Sequence, residues 1–218
     1  MKTIRIDVIS DVMCPWCYIG KRRLEGAVEA LDGDVAVEIN WRPYQLDPTL
    51  PKEGKDRARY LEEKFGGPER AAAIYERVRE AGREEAIPFD FEAIPVSANT
   101  LDAHRLIRWA GEHGRVAQDR VVESLFRKYF TEGADIGDDQ TLLDCAEEAG
   151  LDRAVVATKL AGDLDRATVS AEIENAGRMG VQGVPCFILN NKYAVSGAQP
   201  AATLADAIRQ VAAEAAAA

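Results

Sequence analysis

Cys14 and Cys17 stand two residues apart in the stretch Asp11-Val-Met-Cys-Pro-Trp-Cys-Tyr-Ile-Gly20. A C-x-x-C pair suits two kinds of chemistry, exchange with a disulfide or ligation of a soft metal. Four-coordinate zinc needs a second ligand pair. Neither Cys145 with Cys186 nor His104 with His113 has ligand spacing, so no metal is expected. Disulfide exchange needs one sulfur that attacks as a thiolate and a second that displaces what the first has captured.

The flanking residues place the pair. Ile4, Ile6 and Val8 alternate with Arg5 and Asp7, the two-residue period of a strand. Cys17, Leu24, Ala27, Val28 and Leu31 fall at helical spacing, and Gly33 closes the run. Cys14 is therefore expected at about the N-cap, with Pro15 in the first helical position, where its missing N–H costs nothing. Unpaired N–H groups and the helix dipole favour an anion there. C-x-x-C thiols at helix N-termini titrate at roughly 3.5–7.5 rather than near ~8.5. Cys14 is the expected attacking sulfur, at the exposed lip. Cys17, one turn further in, is expected to be more buried and to resolve the mixed disulfide. Trp16 should lie near the surface of the site and touch substrate.

The chain has 218 residues, 47% hydrophobic and 29% charged, which is ample for a globular core. A formal charge of −10 argues against nucleic acid or an anionic membrane as partner. Lys21-Arg22-Arg23 is the one notable basic cluster near the pair, read as a solvated helix face or as a source of positive potential beside Cys14. Arg5, Asp7 and Asp11 interrupt the apolar N-terminus as no secretory leader would. No run approaches the ~18 apolar residues of a membrane span. A cytoplasmic setting is expected, where a C-x-x-C pair is catalytic or metal-binding rather than a structural staple.

Further along, Val35, Val37, Ile39 and Trp41 share one face of a second strand, giving a strand–helix–strand crossover with parallel strands. Pro43, Pro48 and Pro51 end the regular structure. Helical patterns follow over Arg57–Phe65, Pro68–Gly82, a run capped by Ser97 or Asn99, Arg115–Phe130, a run opened by Asp138 or Asp139, and Leu151–Leu160. Asp165–Met179 is a further helix. Val181–Leu189 and Lys192–Ser196 flank Asn190-Asn191 as a hairpin, and Ala201–Ala213 is the last helix. This order predicts an α/β thioredoxin fold with an inserted all-helical domain. Residues 1–50 and 161–218 would form the thioredoxin-like part and residues 51–160 the insert.

Five segments carry a family resemblance: Cys14-Pro-Trp-Cys-Tyr-Ile-Gly-Lys21, Arg42-Pro-Tyr-Gln-Leu-Asp-Pro48, Asn99-Thr-Leu-Asp-Ala-His-Arg-Leu106, Gly183-Val-Pro185 and Ser196-Gly-Ala-Gln-Pro200. In this order they resemble the DsbA-like branch of the thioredoxin superfamily, and within it the cytosolic FrnE-type oxidoreductases. The resemblance implies a thiol-disulfide oxidoreductase with Cys14–Cys17 as its redox-active disulfide. It implies thiol- or disulfide-containing proteins or small molecules as partners, in a monomer or a dimer. No cofactor is required, and glutathione can serve as co-substrate. It further implies that Val184–Pro185 is cis and packs against the Cys14–Cys17 turn, with Val184 offering backbone groups to an extended substrate. Pro15 and Trp16 would support the site.

Other residues have competing readings. Cys186 follows the proline where such proteins more often carry an apolar or aromatic residue; it is a small buried hydrophobe or a third thiol open to attack. His104, in the matched Asn99–Leu106 segment, either packs its helix or handles protons across a cleft. Cys145 sits on an apolar stripe as a core residue. The alternative function is a glutathione-dependent isomerase or transferase of the kappa or 2-hydroxychromene-2-carboxylate type. Those proteins generally present serine in place of the first cysteine, which the Cys14–Cys17 pair speaks against.

Overall fold

The computed structural model describes residues 3–217. Four strands form the main sheet: β1 (Thr3–Ser10), β2 (Ala36–Pro43), β5 (Cys186–Leu189) and β6 (Tyr193–Ser196), in the order β2-β1-β5-β6. β1 runs parallel to β2, with Ile6 opposite Ile39, and antiparallel to β5, with Val8 opposite Phe187. The helix between β1 and β2, α1 (Pro15–Glu29), makes the crossover. A central strand needs apolar residues on both faces. Ile4, Ile6 and Val8 enter the main core, while Ile9 joins Ala176 and Cys186 in a smaller cluster.

Between β2 and the β5–β6 hairpin lie α2 (Arg57–Phe65), α3 (Pro68–Glu84), α4 (Leu101–Glu112), α5 (Arg115–Glu132), α6 (Asp139–Glu148), α7 (Arg153–Ala161) and α8 (Arg166–Arg178). Asp56, Asp138 and Asp152 cap α2, α6 and α7 by accepting from their first-turn N–H groups, the usual remedy for orphaned donors. The last helix, α9 (Ala201–Ala217), packs against α1, and Leu204, Ala205 and Ile208 enter the same core as Leu125, Phe126 and Leu142 of the helical segment. This is the thioredoxin fold with helices inserted after β2.

Three local features position the site. Asn190 and Asn191 both have positive φ (48° and 56°), as the tight turn of the β5–β6 hairpin requires. Gln118 of α5 accepts the Trp41 N–H at 3.0 Å and donates to the Trp41 carbonyl at 3.4 Å, covering the outer edge of β2. Two strands of two residues, β3 (Lys55–Asp56) and β4 (Val96–Ser97), pair antiparallel and hold the entry of α2 against the loop before α4. That ribbon has no counterpart in the sequence reading, because two-residue strands show no period.

Candidate active site

Cys14 is the N-cap of α1, in extended conformation (φ −94°, ψ 113°), and Pro15 opens the helix. Its N–H donates to the Asp11 carbonyl at 3.0 Å, and its own carbonyl accepts from Cys17 N–H at 3.0 Å. Both cysteines are free thiols. Cys14 is 5% exposed and so lies deeper than the open lip expected of it; Trp16, at 37%, is the exposed member of the motif. Cys17 is 1% exposed. Burial, then the neighbouring Cys14, pushes the Cys17 thiol well up, and Ser10 and the Asp11 backbone pull weakly the other way. The two sulfurs are thus unlike: one faces a cavity, the other is sealed, and burial holds its thiol well above the ordinary value.

The Val184–Pro185 peptide bond is cis, and the Val184 carbonyl lies 3.7 Å from Cys14 Sγ. Gly20 lets α1 reach this loop. A Cβ there would stand 2.7 Å from Pro185 Cγ and 3.3 Å from Phe187 Cζ, so any larger residue must displace one of them. The Pro185 carbonyl in turn accepts from Gly197 N–H at 2.8 Å.

Behind the motif, Asp11 is fully buried. One carboxylate oxygen accepts Leu46 N–H at 2.7 Å; the other accepts Met13 N–H at 3.4 Å and stands 3.4 Å from His104 Nε2. His104 Nε2 lies 2.8 Å from the Tyr44 carbonyl, which can only accept, so this nitrogen carries a proton. Asn99 donates to the Leu50 carbonyl at 2.6 Å and accepts from Gln45 at 3.1 Å and Leu101 N–H at 3.0 Å. His104 and Asn99 therefore brace the Arg42–Pro48 segment against α4. Neither lines the cavity at Cys14.

That cavity has a volume of about 290 Å³. Met13, Cys14, Trp16 and Val184 form one side, and Tyr60, Leu61, Phe65, Ile74, Tyr75 and Val78 of α2 and α3 the other. The sequence reading missed this second wall, together with Arg57 and Lys64 beside it. Its trace is an apolar stripe at helical spacing through two heavily charged helices, which marks a buried face without saying what the face meets. Burial pushes the Tyr75 hydroxyl up, Arg57 opposing it.

Cys186 is buried with Ile9 and Ala176, in the cluster separate from the core that holds Cys14 and Cys17, and burial raises its thiol. Cys145 is fully buried, its thiol pushed up to about 11 chiefly by burial. The basic run departs from both of its readings. Lys21 is 3% exposed and contacts Glu25, Asp119 (3.2 Å) and Glu123 (3.1 Å). Arg22 pairs with Glu123 and Glu25, and Arg23 with Glu85 at 2.6 Å. These side chains fasten α1 to α5 and α3 rather than face solvent or the thiols. Among the described residues no group of three His, Cys, Asp or Glu is placed to hold a metal, and no helix is long and apolar enough to cross a membrane.

The chain is similar to an uncharacterized protein of Bacillus subtilis, YwbO, 25% identical over 193 residues that cover 87% of this chain and 88% of the relative. It superposes on the crystal structure of a probable DsbA oxidoreductase from Streptomyces coelicolor with a TM-score of 0.87 and 32% identity, covering 97% of this chain and 91% of that one. At 17% identity, where likeness shows the fold alone, it matches a 2-hydroxychromene-2-carboxylate isomerase (TM-score 0.68; 97% and 98% covered). At the same identity it matches the cytosolic disulfide reductase DsbM of Pseudomonas aeruginosa with GSH (TM-score 0.64; 95% and 98% covered). Residues 5–209 match the family described as the DSBA-like thioredoxin domain, and the chain belongs to that family.

Proposed function

We propose that this protein is a thiol-disulfide oxidoreductase whose redox couple is Cys14 and Cys17. A Cys14 thiolate attacks a substrate disulfide and releases one thiol, forming a mixed disulfide. Cys17 then gives up its proton, attacks Cys14 Sγ and expels the second thiol, leaving a Cys14–Cys17 disulfide and a substrate reduced by two electrons. Run backwards, the same steps oxidise a dithiol. The observation that carries this reading is the inequality of the two sulfurs, one at a helix N-terminus facing a cavity and the other sealed one turn inward. Val184 and Pro185 are assigned to substrate binding: the Val184 carbonyl accepts from Cys14 Sγ at 3.7 Å, so an extended chain that took over this contact would lie beside the thiol. Pro15 fixes the helix start and Trp16 gives the site an exposed aromatic edge.

No cofactor is needed for these steps. Glutathione, present in the DsbM structure, is proposed as a co-substrate that recharges the couple. A reducing compartment such as the cytosol would drive the cycle toward substrate reduction. Cys17→Ala should accumulate mixed disulfides on Cys14 that mass spectrometry can identify, and Cys14→Ser should abolish exchange. Turnover that survives Cys14→Ser would sink the assignment. The isomerase fold match supports a second reading, glutathione-dependent isomerisation or transfer. A glutathione-conjugation assay on the Cys17→Ala protein separates the two.

A further inference from the structure

The cavity at Cys14 is lined by two charged side chains, Arg57 and Lys64, and both are cationic. That is unexpected in a chain of net charge −10. Among the described residues neither has a carboxylate within 4.0 Å; their hydrogen bonds go to tyrosine hydroxyls, Arg57 Nη1 to Tyr129 at 3.0 Å and Lys64 Nζ to Tyr60 at 3.0 Å. Arg57 is 4% exposed and stands over the rings of Tyr75 (5.1 Å), Tyr129 (5.7 Å) and Phe91 (5.9 Å). Its Nη2 has no hydrogen-bond partner. Of the acids that feel these cations, Glu92 pairs with Arg79 at 2.7 Å, and Asp47 is held by the Thr49 hydroxyl and N–H at 2.6 and 3.0 Å while also facing the Tyr60 hydroxyl to which Lys64 donates. A buried guanidinium without a counter-ion is costly, and aromatic faces offset only part of that cost.

We infer that this cavity selects small disulfides that carry a carboxylate, Arg57 supplying the opposing charge in the wall and Lys64 at the exposed rim. The inference rests on the redox reading above and names the substrate class of the same site. A volume of about 290 Å³ suits a small molecule, lying just under the ~300–1,000 Å³ of ligand pockets. The step balances without a further reagent: RSSR plus the Cys14 and Cys17 thiols give two RSH and the Cys14–Cys17 disulfide.

The test mixes pre-reduced protein with three symmetrical disulfides, 3,3′-dithiodipropionate (anionic), 2-hydroxyethyl disulfide (neutral) and cystamine (cationic). Closure of Cys14–Cys17 is followed by quenched alkylation and mass spectrometry. Each rate is divided by the rate of the same disulfide with free dithiothreitol, which removes intrinsic reactivity. The anionic disulfide should exceed the neutral one by about tenfold, with the cationic one slowest, and the spread should shrink in ~1 M salt. Arg57→Met should collapse the anionic-to-neutral ratio, Arg57→Lys should retain part of it, and Lys64→Gln should lower it less. Equal normalised rates, or a preference for cystamine, overturn the inference while leaving the redox reading intact. No closure with any of the three overturns the redox reading itself. If Arg57→Met fails to fold, a ratio that neither Lys64→Gln nor salt changes counts equally against the inference.

Discussion

One helix, α1, presents two regions built on opposite rules. At its N-terminus, Cys14 faces an apolar cavity in which Arg57 and Lys64 lack carboxylate partners among the described residues and Cys17 is sealed in without an ion to offset it. Less than two turns on, Lys21 and Arg22 sit in a cage with Glu25, Asp119 and Glu123 where every charge is answered. Burial draws the Lys21 ammonium down, yet Asp119, Glu25 and Glu123 outweigh it and hold it above its ordinary value. For Cys17, burial acts with nothing comparable against it. The cage spends its polar groups on holding helices together; the thiol end leaves its groups unmatched and so able to respond to a substrate.

Substitutions can break or sharpen that contrast. Among changes to α1 that spare both cysteines, the largest effect on exchange should come from Gly20→Ala, at the join between α1 and the Pro185 loop. Helix propensity favours alanine by about 1 kcal/mol, whereas forcing a methyl to 2.7 Å from Pro185 costs about 1–3 kcal/mol. The expected outcome is a modest net destabilisation in urea titration together with a several-fold slower exchange rate, because the Val184 carbonyl shifts relative to Cys14. An unchanged rate would show that the close approach is only packing.

Lys21→Met tests the cage. Three carboxylates would then face one another across an apolar stem, and because they are 28–45% exposed, water softens their repulsion. A loss of about 1–3 kcal/mol is expected in denaturant melts, with disulfide exchange little altered. A large fall in exchange at constant stability would mean that the cage also tunes the thiols.

The smallest effect concerns Glu148, the last residue of α6, which meets Ser124, Arg127 and Lys128 of α5. Burial raises its carboxyl, but Ser124, Lys128 and Arg127 prevail and hold it at about 2. A folded value below the unfolded ~4.3 stabilises the protein above that pH, and the contribution fades as pH falls toward 2. Glu148→Gln should therefore flatten the slope of melting temperature against pH between ~5 and ~2. Its exposure keeps the change small.

What the chain reveals in its letters is local. The β1 alternation, the proline after Cys14, and the paired asparagines of the hairpin each follow from residues within a few positions of one another. The thioredoxin order could be assembled from such pieces. What stayed hidden depends on distance along the chain. The partners of Lys21 on α5 lie about a hundred residues away, so the basic run read as a solvated face or as positive potential beside Cys14. The second wall of the Cys14 cavity comes from α2 and α3, whose apolar stripe does not declare what it faces. Ser97 and Asn99 looked like helix caps; the N-cap is Thr100, and Asn99 serves by accepting the Leu101 N–H and tying down Leu50.

Gln118 carries a consequence beyond the Cys14 cavity. Its amide answers both backbone groups of Trp41 as a neighbouring strand would, at the border of the sheet. An incoming extended chain finds that rung already taken, so this margin resists the strand-to-strand recruitment by which sheet proteins polymerise. The opposite margin, β6, has a lighter cover of the same kind, the Gln199 amide donating to the Ser196 carbonyl at 2.9 Å.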